Sequence, residues 1–312
     1  MPLTQIDTEG VFPIANTSRL DRRADIVFVH GLAGNSHGTW RHGKEGEPDH
    51  FFWPAELGKE LPDCGIWTVG YAAGITGLGN PGMIIGQRAG NLATQLGNHG
   101  IGERPLIFIT HSMGGLIVKS MVCDLPAGQS RKLIGNICGI VFCGTPHRGS
   151  DFARAAGILG RFLQIPGIQE HVRQMESNHV ELDRLHDKFA AWHKDRTIPI
   201  DSYAENIGLF RKRWLCRAFP LGLVVPRQSA NTGVGGAPHD VDADHLDLVK
   251  PASSRQPIYN IVYLGVLRFI REALDVTPPP PMNSDPSQVR VLILQTLHEL
   301  GMLPAQTSTS LP

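Results

Sequence analysis

Ile107-Phe108-Ile109-Thr110-His111-Ser112-Met113-Gly114-Gly115-Leu116 is the stretch on which the fold turns. Its first four residues are an apolar and β-branched run with no polar break, the pattern of a strand buried on both faces. The run ends sharply at Ser112, and helical spacing begins at Gly114. Strand, tight turn and helix therefore follow one another without a loop. This is the nucleophile-elbow pattern G-x-S-x-G, in which the turn lifts the serine Oγ clear of the sheet. Gly114 allows strand and helix to approach with no Cβ between them. Thr110 departs from the pattern, which has a glycine there, and crowds the turn. The helix start behind Ser112 offers unpaired N–H groups and a positive dipole end, both suited to an oxyanion, and the N–H of Met113 heads that set.

Outward from the elbow the same design repeats. Residues 25–30 (DIVFVH), 66–71 (IWTVGY), 106–110 (LIFIT), 137–142 (ICGIVF), 198–203 (IPIDSY) and 221–225 (LGLVV) are predicted strands. Residues 54–61, 83–96, 114–124 and 259–274 are predicted helices. Strand alternating with helix specifies βαβ units and a doubly wound, mostly parallel sheet, an α/β fold whose chemistry lies beyond the C-terminal strand ends. Between 142 and 198 the chain is longer than one crossover needs. Residues 151–163 and 180–193 have helical patterns, the second with Leu182, Leu185, Phe189 and Trp192 on one face. The stretch of about 151–195 is read as a helical cap inserted over the site, against the plainer alternative of two helices packed on the sheet. The main domain thus spans 1–275, followed by a proline-rich linker at 276–287 and a C-terminal helix and tail at 288–312.

A serine nucleophile needs an oxyanion site, a base and an acid, and the strand ends offer candidates for each. His30-Gly31-Leu32-Ala33-Gly34 follows the first strand. A glycine-rich loop there can aim a backbone N–H inward, so Leu32 joins Met113 as a candidate oxyanion donor. The loop lacks the GK[ST] of a phosphate-binding loop, and no acidic residue completes a dinucleotide fingerprint. The long loop after residue 225 ends in His245, placed to swing over the elbow, with His239 as its rival. The acid that orients the imidazole is assigned to Glu205, just past the strand at 198–203, with Asp201 as runner-up. The order Ser112, Glu205, His245 is the order such a sheet gives. Asp240, Asp242 and Asp244 alternate as in a calcium loop, but no glycine and no distant glutamate complete one, so no metal is expected. Cys143-Gly144-Thr145-Pro146-His147-Arg148-Gly149-Ser150 lies at the same sheet edge, where His147 and Arg148 either line the pocket or belong to a structural turn.

Composition narrows the class. The chain has 312 residues, 41% of them hydrophobic and 19% charged, which suits a globular fold with a sizeable core. Lys plus Arg is 29 and Asp plus Glu is 29, so no global field gathers nucleic acid. Cys64, Cys123, Cys138, Cys143 and Cys216 form no framework and are expected as small buried hydrophobes in a reducing compartment. Residues 1–23 show no secretory signal and no run reaches the roughly 20 residues that span a bilayer. A cytoplasmic location without a stable membrane anchor is the expectation, with peripheral lipid contact through the cap left open.

DIVFVHGLAGN with a following TW, HSMGGLIVK, GTPHRGSD and DHLDLVKP together resemble the α/β-hydrolase superfamily. Within it they are similar to the lipase/esterase group that contains serine-active-site proteins and GPI-inositol-deacylase-like enzymes. The resemblance covers residues 25 to roughly 274, and the last two phrases are its more specific part. It implies a carboxylic ester hydrolase acting on a small-molecule or lipid ester, with Ser112 as nucleophile, His245 as base and the acid where Glu205 stands. No cofactor is needed. Acyl transfer, thioester or amide cleavage at the same site, and a catalytically weak interaction module, are the alternatives. Oligomeric state is not readable. Removal of everything after Pro281 is expected to leave ester turnover and thermal stability intact, as measured by hydrolysis and melting of the shortened chain.

Overall fold

The structure, a computed structural model, describes residues 9–73, 81–125, 131–177, 180–196, 198–212 and 218–274. The chain opens with β1 (Gly10–Ala15) and β2 (Ala24–Val29). A small ladder of β3 (Arg41–His42) and β4 (Phe51–Phe52) leads into α1 (Trp53–Glu60). Then come β5 (Cys64–Gly70), α2 (Pro81–Asn98), β6 (Leu106–His111), α3 (Met113–Asp124) and the short α4 (Arg131–Gly135). After β7 (Ile137–Cys143) three helices are inserted, α5 (Gly149–Phe162), α6 (Ile168–Ser177) and α7 (Val180–Arg196). The described chain closes with β8 (Ile200–Glu205), β9 (Leu209–Lys212), β10 (Ala218–Gly222), β11 (His239–Val241) and α8 (Pro257–Ala273).

Among the described residues the central sheet has the order β1-β5-β2-β6-β7-β8-β11, parallel throughout except for antiparallel β1. β2, β5 and β6 are buried along their whole length because helices cover both faces. Alternate residues serve alternate faces. Val27, Val29, Leu106 and Phe108 join the core beneath α2, α3, α5 and α7, while Ile26, Phe28, Ile107 and Ile109 join the core against α1 and α8. Truncating one such side chain to alanine costs about 2–5 kcal/mol. From β2 the chain crosses to β5 on one side and then returns to place β6 on the other. The sheet therefore reverses its winding between β2 and β6, the point where doubly wound folds open a crevice at their C-terminal ends.

Two sequence expectations are corrected here. Residues 221–225 do not form a strand of the central sheet; only Leu221 and Gly222 are in a strand, the end of β10, which pairs with β9 in a separate hairpin. The last place in the sheet belongs to β11, whose three residues are polar or half-exposed because an edge strand has one neighbour. The inserted stretch also divides. α7 packs beside α3 and sets Phe189 edge-on to Phe142 of β7, so it is a sheet-flanking helix, as in the plainer alternative. The end of α5 reaches the crevice through Leu159 and Phe162. The linker at 276–287, the helix at 288–301 and Cys216 lie outside the described residues. Cys64 and Cys143 are buried and their thiols are pushed up by desolvation. Among the described residues no helix is long and apolar enough to cross a membrane.

Lys119 of α3 is an anomaly in this core. It is fully buried, and its Nζ has no hydrogen-bond partner among the described residues and sits 4.7 Å from the Phe189 ring centre. Burial pulls the amine down to about 7 from its ordinary 10.5. Between those two pH values the unfolded chain binds a proton that the folded protein refuses, so this group lowers stability as pH falls from 10.5 towards 7. Lys119→Met is expected to raise unfolding free energy at pH 7 by up to a few kcal/mol, with a smaller gain at pH 9.5, as measured by urea denaturation at both pH values.

Candidate active site

The turn that joins β6 to α3 holds Ser112 at φ 52°, ψ −124°. A serine pays conformational strain of about 1–3 kcal/mol in such a region, and the surrounding packing must enforce it. Gly114 shows how. A Cβ on Gly114 would stand 2.3 Å from the Val29 carbonyl oxygen and 2.5 Å from that of His30, so α3 seats directly on the end of β2. The Ser112 N–H donates to the Cys143 carbonyl at 2.9 Å, tying the turn to the end of β7 as well. Thr110, the departure from the elbow pattern, is accommodated within the strand: its buried hydroxyl donates to the Val141 carbonyl at 2.9 Å.

The loop after β2 is fixed from both sides. His30 stacks on Tyr71 with ring centres 4.1 Å apart, its Nδ1–H donates to the Gly31 carbonyl at 2.9 Å, and its Nε2 accepts the Tyr71 N–H at 3.3 Å. The Tyr71 hydroxyl donates to the His30 carbonyl. Burial lowers His30 to about 4, so it stays neutral at ordinary pH and serves as scaffold. The Ala33 N–H is taken by the Ala73 carbonyl at 2.7 Å, whereas among the described residues no hydrogen bond engages the N–H of Leu32. A Cβ on Gly31 would come 2.5 Å from the Ser112 Cβ, which sets the Leu32 loop beside the elbow. Met113 opens α3, where a helix leaves its first N–H groups free.

Glu205 is the last residue of β8 and is buried. One oxygen, Oε1, accepts the Val225 N–H at 2.6 Å; the other, Oε2, lies 3.1 Å from Nδ1 of His245. Carboxylate pairing places the imidazole proton on Nδ1 and leaves Nε2 as the basic nitrogen. That Nε2 is buried and has no hydrogen-bond partner among the described residues. The loop bearing His245 is held in turn by His111, whose Nε2–H donates to the His245 carbonyl at 2.9 Å, with the two rings 4.7 Å apart. Burial, reinforced by the neighbouring His245, keeps His111 well below the ordinary histidine range and hence neutral.

The sequence candidates thus separate. Leu32 and Met113 flank Ser112 at the crevice between β2 and β6, and Glu205, at the end of β8, holds His245, whose ring lies against Gly144 just past β7. Asp201 points to α8, where Arg268 Nη2 binds it at 2.7 Å. His239 is exposed on β11 and stacks on Tyr203. Asp240 pairs with Arg227, Asp242 accepts from Asn206, and Asp244 takes the N–H groups of Leu246 and Asp247. His147 is buried edge-on to Phe142 and kept neutral by desolvation, so the 143–150 turn is structural. Sequence reasoning passed over His111 as a working residue; a polar residue at the end of an otherwise apolar strand, next to the serine, was the available sign. A cavity of about 250 Å³ adjoins these groups, lined by Leu32, His111 and Leu246 and roofed by Leu159, Phe162 and Leu163 of α5 and the turn that follows it.

Strand order and elbow together establish the α/β-hydrolase fold. No family model matches the chain. It is 31% identical over 287 residues to Protein SERAC1 of Danio rerio and 30% identical over 285 residues to Protein SERAC1 of Homo sapiens, in each case over 85% of this chain. The chain spans 42% of the length of those relatives, and their name fixes no activity. Among solved structures, a lipase-esterase related protein from Clostridium acetobutylicum overlaps 84% of this chain and 99% of its own at 14% identity, with a TM-score of 0.46. YbtT, a type II thioesterase of a yersiniabactin pathway, overlaps 84% of this chain and 98% of its own at 16% identity, with a TM-score of 0.43. Overlaps this weak carry no residue role.

The elbow strain has a direct test. Ser112→Gly is expected to raise the melting temperature by a few degrees, since glycine tolerates φ 52°, while Gly114→Ala is expected to lower it by well over 5 °C or prevent folding. Thermal melts of both variants check the pair.

Proposed function

We propose that this α/β-hydrolase is a serine carboxylic ester hydrolase. The observation that carries the reading is the state of His245: Nδ1 is held by Glu205, while the buried Nε2 has no partner among the described residues. An imidazole so oriented serves as a base for the hydroxyl of Ser112.

Ser112 Oγ attacks the acyl carbon of the ester, and its proton passes to Nε2 of His245. Negative charge gathers on the carbonyl oxygen, where the N–H groups of Leu32 and Met113 and the start of α3 stabilise it. As the tetrahedral intermediate collapses, the carbon–oxygen bond to the alcohol breaks and His245 returns the proton to the leaving oxygen. Water then adds to the acyl-serine, gives a proton to His245, and a second collapse releases the acid and restores Ser112. Glu205 remains ionised throughout and stabilises the imidazolium formed in each half-reaction. His111 acts as a positioning residue, since it holds the His245 loop without reaching the ester. The chemistry needs no group beyond these side chains and water.

Hydrolysis of p-nitrophenyl butyrate and labelling by a fluorophosphonate probe test the reading. Ser112→Ala is expected to lose labelling and to lower kcat at least about 10³-fold. Glu205→Gln is expected to lower kcat by roughly 10²–10⁴-fold with folding retained. Asp201→Ala is expected to leave kcat within about twofold and to cost at most about 1 kcal/mol of stability through its partly exposed pair with Arg268. A folded wild type that turns over no ester and ignores the probe overturns the reading.

A further inference from the structure

Lys250, five residues beyond His245, lines the same cavity as Leu32, His111 and Leu246. It ends the short turn Asp247–Val249, and its N–H donates to the Asp247 carbonyl at 3.0 Å, so the backbone that carries it is fixed. The side chain is half-buried, yet among the described residues its ammonium makes neither an ion pair nor a hydrogen bond. Asp247 feels its charge, but the two do not come within ion-pair distance; Lys250 also borders a second cavity, shared with Asp242, Asp244 and Asp247, and so stands between that acidic wall and the site. The other walls of the site cavity mix apolar Leu32, Leu246 and Phe162 with the polar side chains of Asn35, Thr39 and His111.

An ammonium in that setting has a definite preference. Apolar walls lower the local dielectric and strengthen its attraction for a negative group brought into the cavity. The cavity is also small. At about 250 Å³ it falls below the roughly 300–1,000 Å³ of pockets that enclose drug-sized ligands, so it fits a short chain better than a long one.

Resting on the ester-hydrolase reading above, we infer that the site selects short-chain esters that carry a negative charge, with Lys250 as the residue that binds it. The charged group is a carboxylate or an anion of similar size, on the acyl side or on the alcohol side of the scissile bond. Lys250 does not touch the reacting atoms. Its contribution is to specificity, through a charge that the neutral substrate cannot use.

Two matched pairs of esters test this with the full chain. On the acyl side, the p-nitrophenyl monoester of glutarate is compared with p-nitrophenyl valerate. On the alcohol side, p-carboxyphenyl butyrate is compared with its methyl ester. The wild type is expected to favour the charged member of one pair by about tenfold in kcat/KM, and the pair that responds identifies the side on which the charge lies. Lys250→Met is expected to erase that ratio and Lys250→Arg to restore most of it, which separates lost charge from a misfolded variant. Raising ionic strength is expected to shrink the wild-type ratio. Equal turnover within both pairs, or a preference that survives in Lys250→Met, overturns the inference while leaving ester hydrolysis standing. Absence of turnover on all four esters overturns the hydrolase reading beneath it.

Discussion

The direct seating of α3 on the end of β2, with no side chain on Gly114 between them, is the constraint on which the rest of the site depends. It forces the chain through a turn too tight for relaxed backbone, and Ser112 sits at that turn because nothing else lies between strand and helix. The same contact brings the loop after β2 against the start of α3. The free N–H groups of Leu32 and Met113 are therefore neighbours by construction. Both elements end at the place where the winding of the sheet reverses, so neither has to reach far from its own strand.

Polar groups in the interior are arranged in two ways. At the N-terminal sheet edge Asp25 is a structural anchor: its Oδ1 accepts from Arg22 at 2.8 Å and from Trp67 Nε1 at 2.9 Å, and its Oδ2 pairs with Arg104 at 3.5 Å. At the C-terminal edge three histidines do different work. His30 and His111 are desolvated, neutral and committed to backbone partners, and so hold the loops on either side of the serine. His245 keeps a buried Nε2 with no partner among the described residues. Removing water from the two scaffold histidines keeps them from acquiring charge that would repel a protonated His245.

Much of this was legible in the sequence, and the reason is physical. β2, β5, β6 and β7 are covered on both faces, so their residues are apolar without interruption and cannot be taken for loops. The places of Ser112 and Glu205 follow from that sheet, since one stands just past the end of β6 and the other ends β8, and His245 lies within reach of Glu205. The illegible parts are the edges. β1 carries Pro13, which only an edge strand tolerates, and β11 has three residues with polar side chains among them. The apolar run at 221–225 misled because Val224 and Val225 are buried beneath Glu205, outside any central strand. In α7 the stripe of Leu182, Leu185 and Phe189 announced a buried face but not the surface it meets, which is the layer beside α3.

The histidine of the site is attached to the least secure margin of the molecule. β11 pairs with β8 over three residues and has no neighbour beyond it, whereas Ser112 sits in the middle of the sheet. Opening of a short edge segment costs a fraction of the free energy of global unfolding. Loss of chemistry and loss of fold are therefore distinct events in this protein. Opening of β11 alone displaces the loop that carries His245 while Ser112 keeps its place in the middle of the sheet.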